Sequence, residues 1–143
     1  MSGNLKQLDI EAVSQRYFAA WEARDPEAII SLHAEDTQFW THLGAGPVRG
    51  KVAVREAFEA LFGQFPGFSF EVYRVVTGSN HWVLDWALID AEIRFDCLDL
   101  VEVSEDGLVT RKDTFVDFVQ MRAALASRTA AQDGVEAGGS AVR

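Results

Sequence analysis

The sequence holds one cysteine, Cys97, among 143 residues. No internal disulfide can form, which fits a reducing cytoplasm. Basic residues are scarce: 13 Lys and Arg stand against 22 Asp and Glu, a net charge of -9. That balance excludes the basic stripe nucleic acid requires and disfavours docking on an anionic membrane surface. No apolar run approaches the length of a membrane-spanning helix. The opening "MSGNLKQLDIEA" lacks the basic flank and apolar run of a signal peptide. The expectation is a soluble cytoplasmic protein with no nucleic-acid or membrane partner. Only His33, His42 and His81 are available as imidazole ligands, and they lie far apart, so no zinc pattern is visible. "GAGPVRG" has neither the spacing nor the strand-to-helix context of a phosphate loop. No Ser or Cys nucleophile has a sequence-local partner. No metal and no cofactor are expected.

Rings are plentiful. Four Trp and ten Phe, within a 48% hydrophobic composition, indicate one domain with a core or pocket lined by aromatics. Ile10, Val13, Tyr17 and Trp21 recur at helical spacing and predict a helix over residues 9–23. In "ARDPEAIISLH", Asp25 can cap a second helix that Pro26 opens. "TQFWTH" reads as a short strand and "LGAGPVRG" as a loop. Val54, Phe58, Leu61 and Phe62 mark a third helix. The period then changes to two, giving four strands: "FSFEVYRVVT", "HWVLDWALI", residues 92–103 and "LVTRKDTFVDF". "VQMRAAL" adds a short terminal helix or extension. Residues 1–126 form the expected domain, and residues 127–143, with few large apolar groups, an expected flexible tail.

Helices followed by a strand meander imply an α+β domain. In "RFDCLDLVEVSEDG", alternation separates Asp96 and Glu102, on a face with Arg94, Leu98 and Leu100, from Asp99, which stands among Phe95, Cys97, Val101 and Val103. A lone carboxyl in apolar surroundings is expected to titrate high and stay neutral, able to donate a hydrogen bond to a carbonyl oxygen gaining charge. Equally, Asp99 is explained by a purely structural network. Asp113, Phe115 and Asp117 share one face of the last strand. If that face is inward, Asp113 lies in the pocket; otherwise its acids are solvated or bind loops. Tyr17 in a helix stripe either keeps its hydroxyl bonded in the core or presents it to a ligand. His42, beside Thr41 and after Trp40, is a surface residue or a reserve acid/base group. Asp85, by parity on the face opposite Trp82 and Trp86, is a second pocket acid or an outer-face group. Leu98 and Leu100 on the outer sheet face suggest a homodimer or ordinary surface hydrophobes.

"RYFAAWEARDPEAIISLHAEDTQFW" and "GLVTRKDTFVDF" resemble the opening and the last strand of the nuclear-transport-factor-2-like superfamily, over residues 8–125. The resemblance implies a cystatin-like α+β cone: a curved antiparallel sheet with three N-terminal helices packed on its concave face, around an apolar pocket, often as a homodimer. That superfamily includes SnoaL-like polyketide cyclases, ketosteroid isomerases, limonene-epoxide hydrolases, dehydratases and noncatalytic members. "RYFAAWEARDPEAI" and "DCLDLVEVSEDG" are similar to ketosteroid isomerase, which implies Tyr17 and Asp99 as oxyanion-hole groups. The isomerase's proton-shuttling acid falls at Thr41. "RKDTF" resembles the last-strand motif of the cyclases and epoxide hydrolases, which implies Asp113 as the proton-transfer group, with His42 in reserve. Trp21, Trp40, Phe58, Phe62, Trp86 and Phe115 are the expected pocket walls. The implied ligand is a small apolar or aromatic molecule bearing a carbonyl, handled by cofactor-free acid/base chemistry, or simply bound.

Overall fold

Val13, Tyr17 and Trp21 form one buried stripe on helix α1, Ile10–Glu22, in a computed structural model that describes residues 8–141. The Asp9 carboxylate caps this helix, accepting from the Ala12 amide at 3.1 Å. Asp25 caps α2, Pro26–Ile30, through the Glu27 amide, and Pro26 takes the first turn, where a missing N–H costs nothing. Two strands follow, β1 (His33–Trp40) and β2 (Val48–Arg49), then helix α3 (Lys51–Gln64). Strands β3 (Ser69–Thr77), β4 (His81–Asp90), β5 (Ile93–Val103) and β6 (Val109–Val116) make the meander. Helix α4, Phe118–Ala141, ends the described chain.

The six strands form one curved, unclosed sheet in the order β2-β1-β6-β5-β4-β3, so the fold is a mixed α+β architecture. All neighbours are antiparallel except β1 and β6, which run parallel with Trp40 opposite Asp113. A parallel pair needs a long crossover, and here the whole segment from β2 to β5 supplies it. That distant partner explains why β1 starts at His33, well before the short strand read from the sequence, and why two residues of the expected loop pair as β2.

Strand β5 alternates as its sequence predicts: Phe95, Cys97, Asp99, Val101 and Val103 are buried, while Leu98 and Leu100 are exposed. The inward residues meet α1 and α3, with Phe58, Trp82, Ile29, Val54 and Val101 fully buried. Each such side chain contributes about 1.5–3 kcal/mol of burial. The β5–β6 hairpin is irregular. Val103 lies opposite Val109, yet Glu102 lies opposite Arg111 and Val101 opposite Lys112. Thr110 is therefore an extra residue, a β-bulge, and it shifts the in–out alternation of everything after it on β6. In the hairpin turn Gly107 has a φ of +79°, a conformation that suits glycine.

Helix α4 is longer than the short terminal helix expected. Its start is fixed by Asp117, whose carboxylate accepts from the Gln120 amide at 3.0 Å. This capping role accounts for Asp117 without a substrate. The segment beyond it is rich in alanine, which needs no burial to favour helix. Arg128 straps α4 down: its guanidinium donates to Asp90 Oδ2 at 2.7 Å and to the Gln64 carbonyl at 3.0 Å. Met121 and Leu125 of this helix reach the cavity described below. No helix among the described residues is long and apolar enough to cross a membrane.

Candidate functional site

Between the helices and the inner sheet face lies a cavity of about 390 Å³. Its walls are largely apolar and include the rings of Phe18, Trp21, Phe39, Phe65, Phe68 and Trp86. Among the described residues, a single lining residue carries charge, Lys112 of β6, and it is only 5% exposed.

Asp99, 2% exposed, does not stand alone as the apolar flanks of β5 suggest. Lys112 Nζ donates to its Oδ2 at 2.7 Å, and Thr114 Oγ1 donates to its Oδ1 at 2.8 Å. Both carboxyl oxygens act as acceptors, so Asp99 is the anion of a buried ion pair rather than a free donor to a ligand. Register dictates this arrangement. Asp99 is directly opposite Thr114, and Val101 is opposite Lys112, so all four side chains share the inner face. Burial acts to lower the Lys112 pKa, but Asp99, Tyr17 and Cys97 together outweigh burial and hold the ammonium above the ordinary lysine value. Lys112 Nζ also lies 5.3 Å from the Tyr17 ring centroid and 5.0 Å from that of Trp21. Lys112 thus stands between the sequence-predicted pair, of which Tyr17 lines the cavity and Asp99 does not.

Tyr17 is 2% exposed and its hydroxyl lies 2.9 Å from His33 Nε2. His33 Nδ1 lies 2.8 Å from Thr37 Oγ1. Burial, with smaller contributions from Lys112 and Lys51, pushes the His33 pKa down to about 3, so the imidazole is neutral. A neutral ring has one N–H and one lone pair. With the hydrogen on Nδ1, His33 accepts the phenol proton; with it on Nε2, the Tyr17 O–H is free to donate into the cavity. Burial raises the Tyr17 pKa, partly offset by Lys112, so the phenol keeps its proton. Cys97, also on the wall, is pushed up to about 12 by burial and by Asp99, which makes it an inert thiol.

Asp113 is not in the cavity. The bulge at Thr110 turns Lys112 and Thr114 inward and sends Arg111, Asp113 and Phe115 to the outer face, where Asp113 is opposite Leu100 and Phe115 opposite Leu98. Asp113 is nevertheless only 3% exposed. Arg111 donates to it through Nε at 2.7 Å and Nη2 at 3.3 Å, and His42 Nε2 lies 2.7 Å from its Oδ1. Burial acts to raise the Asp113 pKa, but these two partners outweigh it and hold the carboxyl below the usual range. The His42 ring is sandwiched between Trp40, at 3.8 Å, and Phe115, at 4.2 Å, between ring centroids. Trp40, His42, Asp113 and Phe115 therefore form an outer-face cluster instead of a pocket wall. Thr41, between Trp40 and His42, does line the cavity. Trp21 and Trp86 line it as expected. Phe58 and Phe62 pack behind Trp21 with centroids 4.9 Å and 5.4 Å away and are not on the wall. Asp85 falls on the outer face opposite Leu98, 3.5 Å from Arg74. Among the described residues, no three of His, Cys, Asp or Glu form a group placed to hold a metal ion.

Comparison with known proteins adds the following. The sequence profile of the SnoaL-like domain matches residues 14–112. A steroid delta-isomerase from Nocardioides simplex is 27% identical over 111 residues, covering 75% of this chain and 89% of the relative. A crystal structure from Shewanella putrefaciens, provisionally assigned as a SnoaL-like polyketide cyclase, superposes with a TM-score of 0.70 at 15% identity, covering 88% of this chain and 90% of that one. A provisionally assigned ketosteroid isomerase from Kribbella flavida gives 0.65 at 22% identity, covering 75% and 76%. At these identities the structural matches speak for the fold alone.

Proposed function

The chain belongs to the SnoaL-like domain family, and we propose that its cavity binds a small apolar carbonyl compound and stabilises negative charge on its oxygen while the proton beside the carbonyl passes to water, the enolate-forming step that isomerases and aldol cyclases share. One observation carries this reading: a largely apolar cavity with, among the described residues, a single charge on its wall, an ammonium that donates to Asp99. An ammonium has three donors. The remaining two can meet a ligand oxygen, and Tyr17 O–H, in the tautomer that frees it, adds a third. In a dry site such donors stabilise charge that develops on the oxygen far more than water would. The ion pair is neutral before reaction, so a neutral ketone enters at little electrostatic cost and Lys112 faces the charge only as it forms. The named isomerase relative and the cyclase neighbour fit this chemistry, and the reading requires no cofactor.

The test has two stages. A panel of steroid ketones, aromatic polyketide-like ketones and terpene ketones should raise the melting temperature, because a ligand that binds only the native state stabilises it. No shift with any of them ends the proposal. A bound ketone should then take up deuterium beside its carbonyl in heavy water, and Lys112→Arg should slow that exchange.

A second reading, binding without turnover, is favoured by a specific feature: among the described residues no carboxylate lines the cavity, Asp113 faces outward and Thr41 occupies the position that resembles the isomerase's base. Melting shifts without deuterium uptake would select it. The outer sheet face bears on assembly. Val76, Leu98, Leu100 and Phe115 are 48%, 40%, 37% and 43% exposed, and this apolar area supports a homodimer. Sedimentation should give twice the chain mass, and Leu98→Lys with Leu100→Lys should give the monomer; a wild-type monomer would dismiss the dimer.

A further inference from the structure

In a regular strand His33 and Thr37 could not touch. They are four residues apart on β1, and four residues of strand span about 13 Å. Yet Thr37 Oγ1 lies 2.8 Å from His33 Nδ1. The contact exists because β1 is irregular here. His33 is opposite Val109 and Gln38 is opposite Arg111, so β1 uses five residues where β6 uses two. Glu35 and Asp36 are carried outward, while His33 and Thr37 meet inside, 1% and 0% exposed. Irregularities of this kind re-aim side chains beside functional sites.

This contact decides where the hydrogens lie. Neutral His33 has one N–H and one bare nitrogen. Its partners are two hydroxyls, Thr37 at Nδ1 and Tyr17 at Nε2. A hydroxyl can donate or accept, so each tautomer leaves one O–H over. With the hydrogen on Nδ1, the leftover donor is the Thr37 O–H. Among the described residues that hydroxyl has no hydrogen-bond partner but His33, and Thr37 does not line the cavity. A buried donor without an acceptor is costly. With the hydrogen on Nε2, Thr37 donates to Nδ1 and His33 donates to the Tyr17 oxygen. The leftover donor is then the Tyr17 O–H, and Tyr17 lines the cavity, where an incoming oxygen has room to accept.

We infer that Thr37 and His33 are positioning residues: their hydrogen bonds run one way, from Thr37 to His33 to Tyr17, and hold the Tyr17 O–H toward the cavity as a donor to the ligand oxygen. This rests on the carbonyl-binding reading above and deepens it with two groups that do not touch the ligand. Each bond in such a chain polarises the next, so the last donor is the strongest. The irregular turn of β1 thereby decides whether Tyr17 donates to the cavity or to the core.

Nitrogen-15 NMR of the wild-type chain at neutral pH reads the tautomer, the His33 signals being those lost in His33→Gln. Nε2 should carry the hydrogen and Nδ1 should be bare; a hydrogen on Nδ1 overturns the inference. Deuterium uptake by a bound ketone reads the role. His33→Phe keeps a ring but no donor. It should slow uptake about tenfold, the scale of one hydrogen bond, while the ketone still raises the melting temperature. His33→Gln, whose amide can donate to Tyr17, should recover most of the rate, which a loss of packing alone would not predict. Uptake in His33→Phe as fast as in wild type overturns the positioning role. Should His33→Phe fail to fold, Thr37→Val tests the same chain one bond back. Its bare Nδ1 signal should shift and its uptake should slow, with Thr37→Ser behaving as wild type; a Thr37→Val protein matching wild type in both overturns the inference. If ketones bind without uptake, or do not bind, the role falls with the reading it rests on, and the NMR spectrum still decides the tautomer.

Discussion

Lys112→Met should destabilise the fold by about 3–5 kcal/mol, the usual cost of stranding one half of a buried ion pair. Lys112 and Asp99 are 5% and 2% exposed. Removing the ammonium leaves a buried carboxylate with Thr114 as its remaining partner. The methionine fills the volume, so a cavity is not the cause of the loss. Asp99→Asn alone should be costly for the mirrored reason, an ammonium without its anion. The double variant, Lys112→Met with Asp99→Asn, should recover most of the loss, because a buried pair replaced as a unit is often close to neutral. Urea titration of the four proteins measures the cycle. Single losses below about 1 kcal/mol, the range of solvent-exposed pairs, would show that the pair is not dry. Additive losses would show that the two groups do not act together. The double variant should also lose deuterium exchange into bound ketone while still binding apolar ligands.

Acid should unfold this protein early, with His33 as a principal cause. In the unfolded chain His33 titrates near 6.5, whereas in the fold it titrates at about 3. Between those values the unfolded chain binds a proton that the folded chain refuses. Stability is therefore complete above pH 6.5 and falls as the pH drops toward 3, by at most about 1.4 kcal/mol per pH unit. Asp113, held below the usual carboxyl range, adds a loss in the same direction at the acid end of that window. His33→Gln keeps a donor and an acceptor for Tyr17 and Thr37 but cannot titrate. It should flatten the slope of stability against pH by close to one proton. Urea midpoints measured from pH 4 to pH 7 decide it. Parallel slopes for the two proteins would mean that His33 is already charged, or is not buried.

The fold was legible where signals are local. The stripe on α1, the cap at Asp25 and the alternation of β5 depend on near neighbours or period. Asp99 was correctly singled out as an acid on a buried face, and Tyr17 as its neighbour in space. The site itself was less legible because it depends on pairing across strands. Lys112 was not singled out. Only the pairing of Asp99 with Thr114 places it inside, although an inward acid on β5 was a signal to look for a cation at the facing position of β6. His33 was hidden at the end of α2, since the parallel partner that extends β1 lies about 75 residues away. Trp40 and Phe115 looked like pocket walls because ring content says nothing about which face of a sheet a ring occupies.

The extra residue at Thr110 has one more consequence. If β5 and β6 paired straight up from the turn without it, Asp113 would lie opposite Asp99 on the inner face, and Lys112 would point away. Two carboxylates would then share a dry space, an arrangement in which one must give up its charge. The bulged hairpin instead sets a lysine and a threonine around the one acid. The ion pair thus selects between two alignments of the same strands, whatever it also contributes to stability. Deleting Thr110 would remove the bulge and leave this alignment intact, whereas reversing the sign at position 112 would favour sliding the strand by one residue.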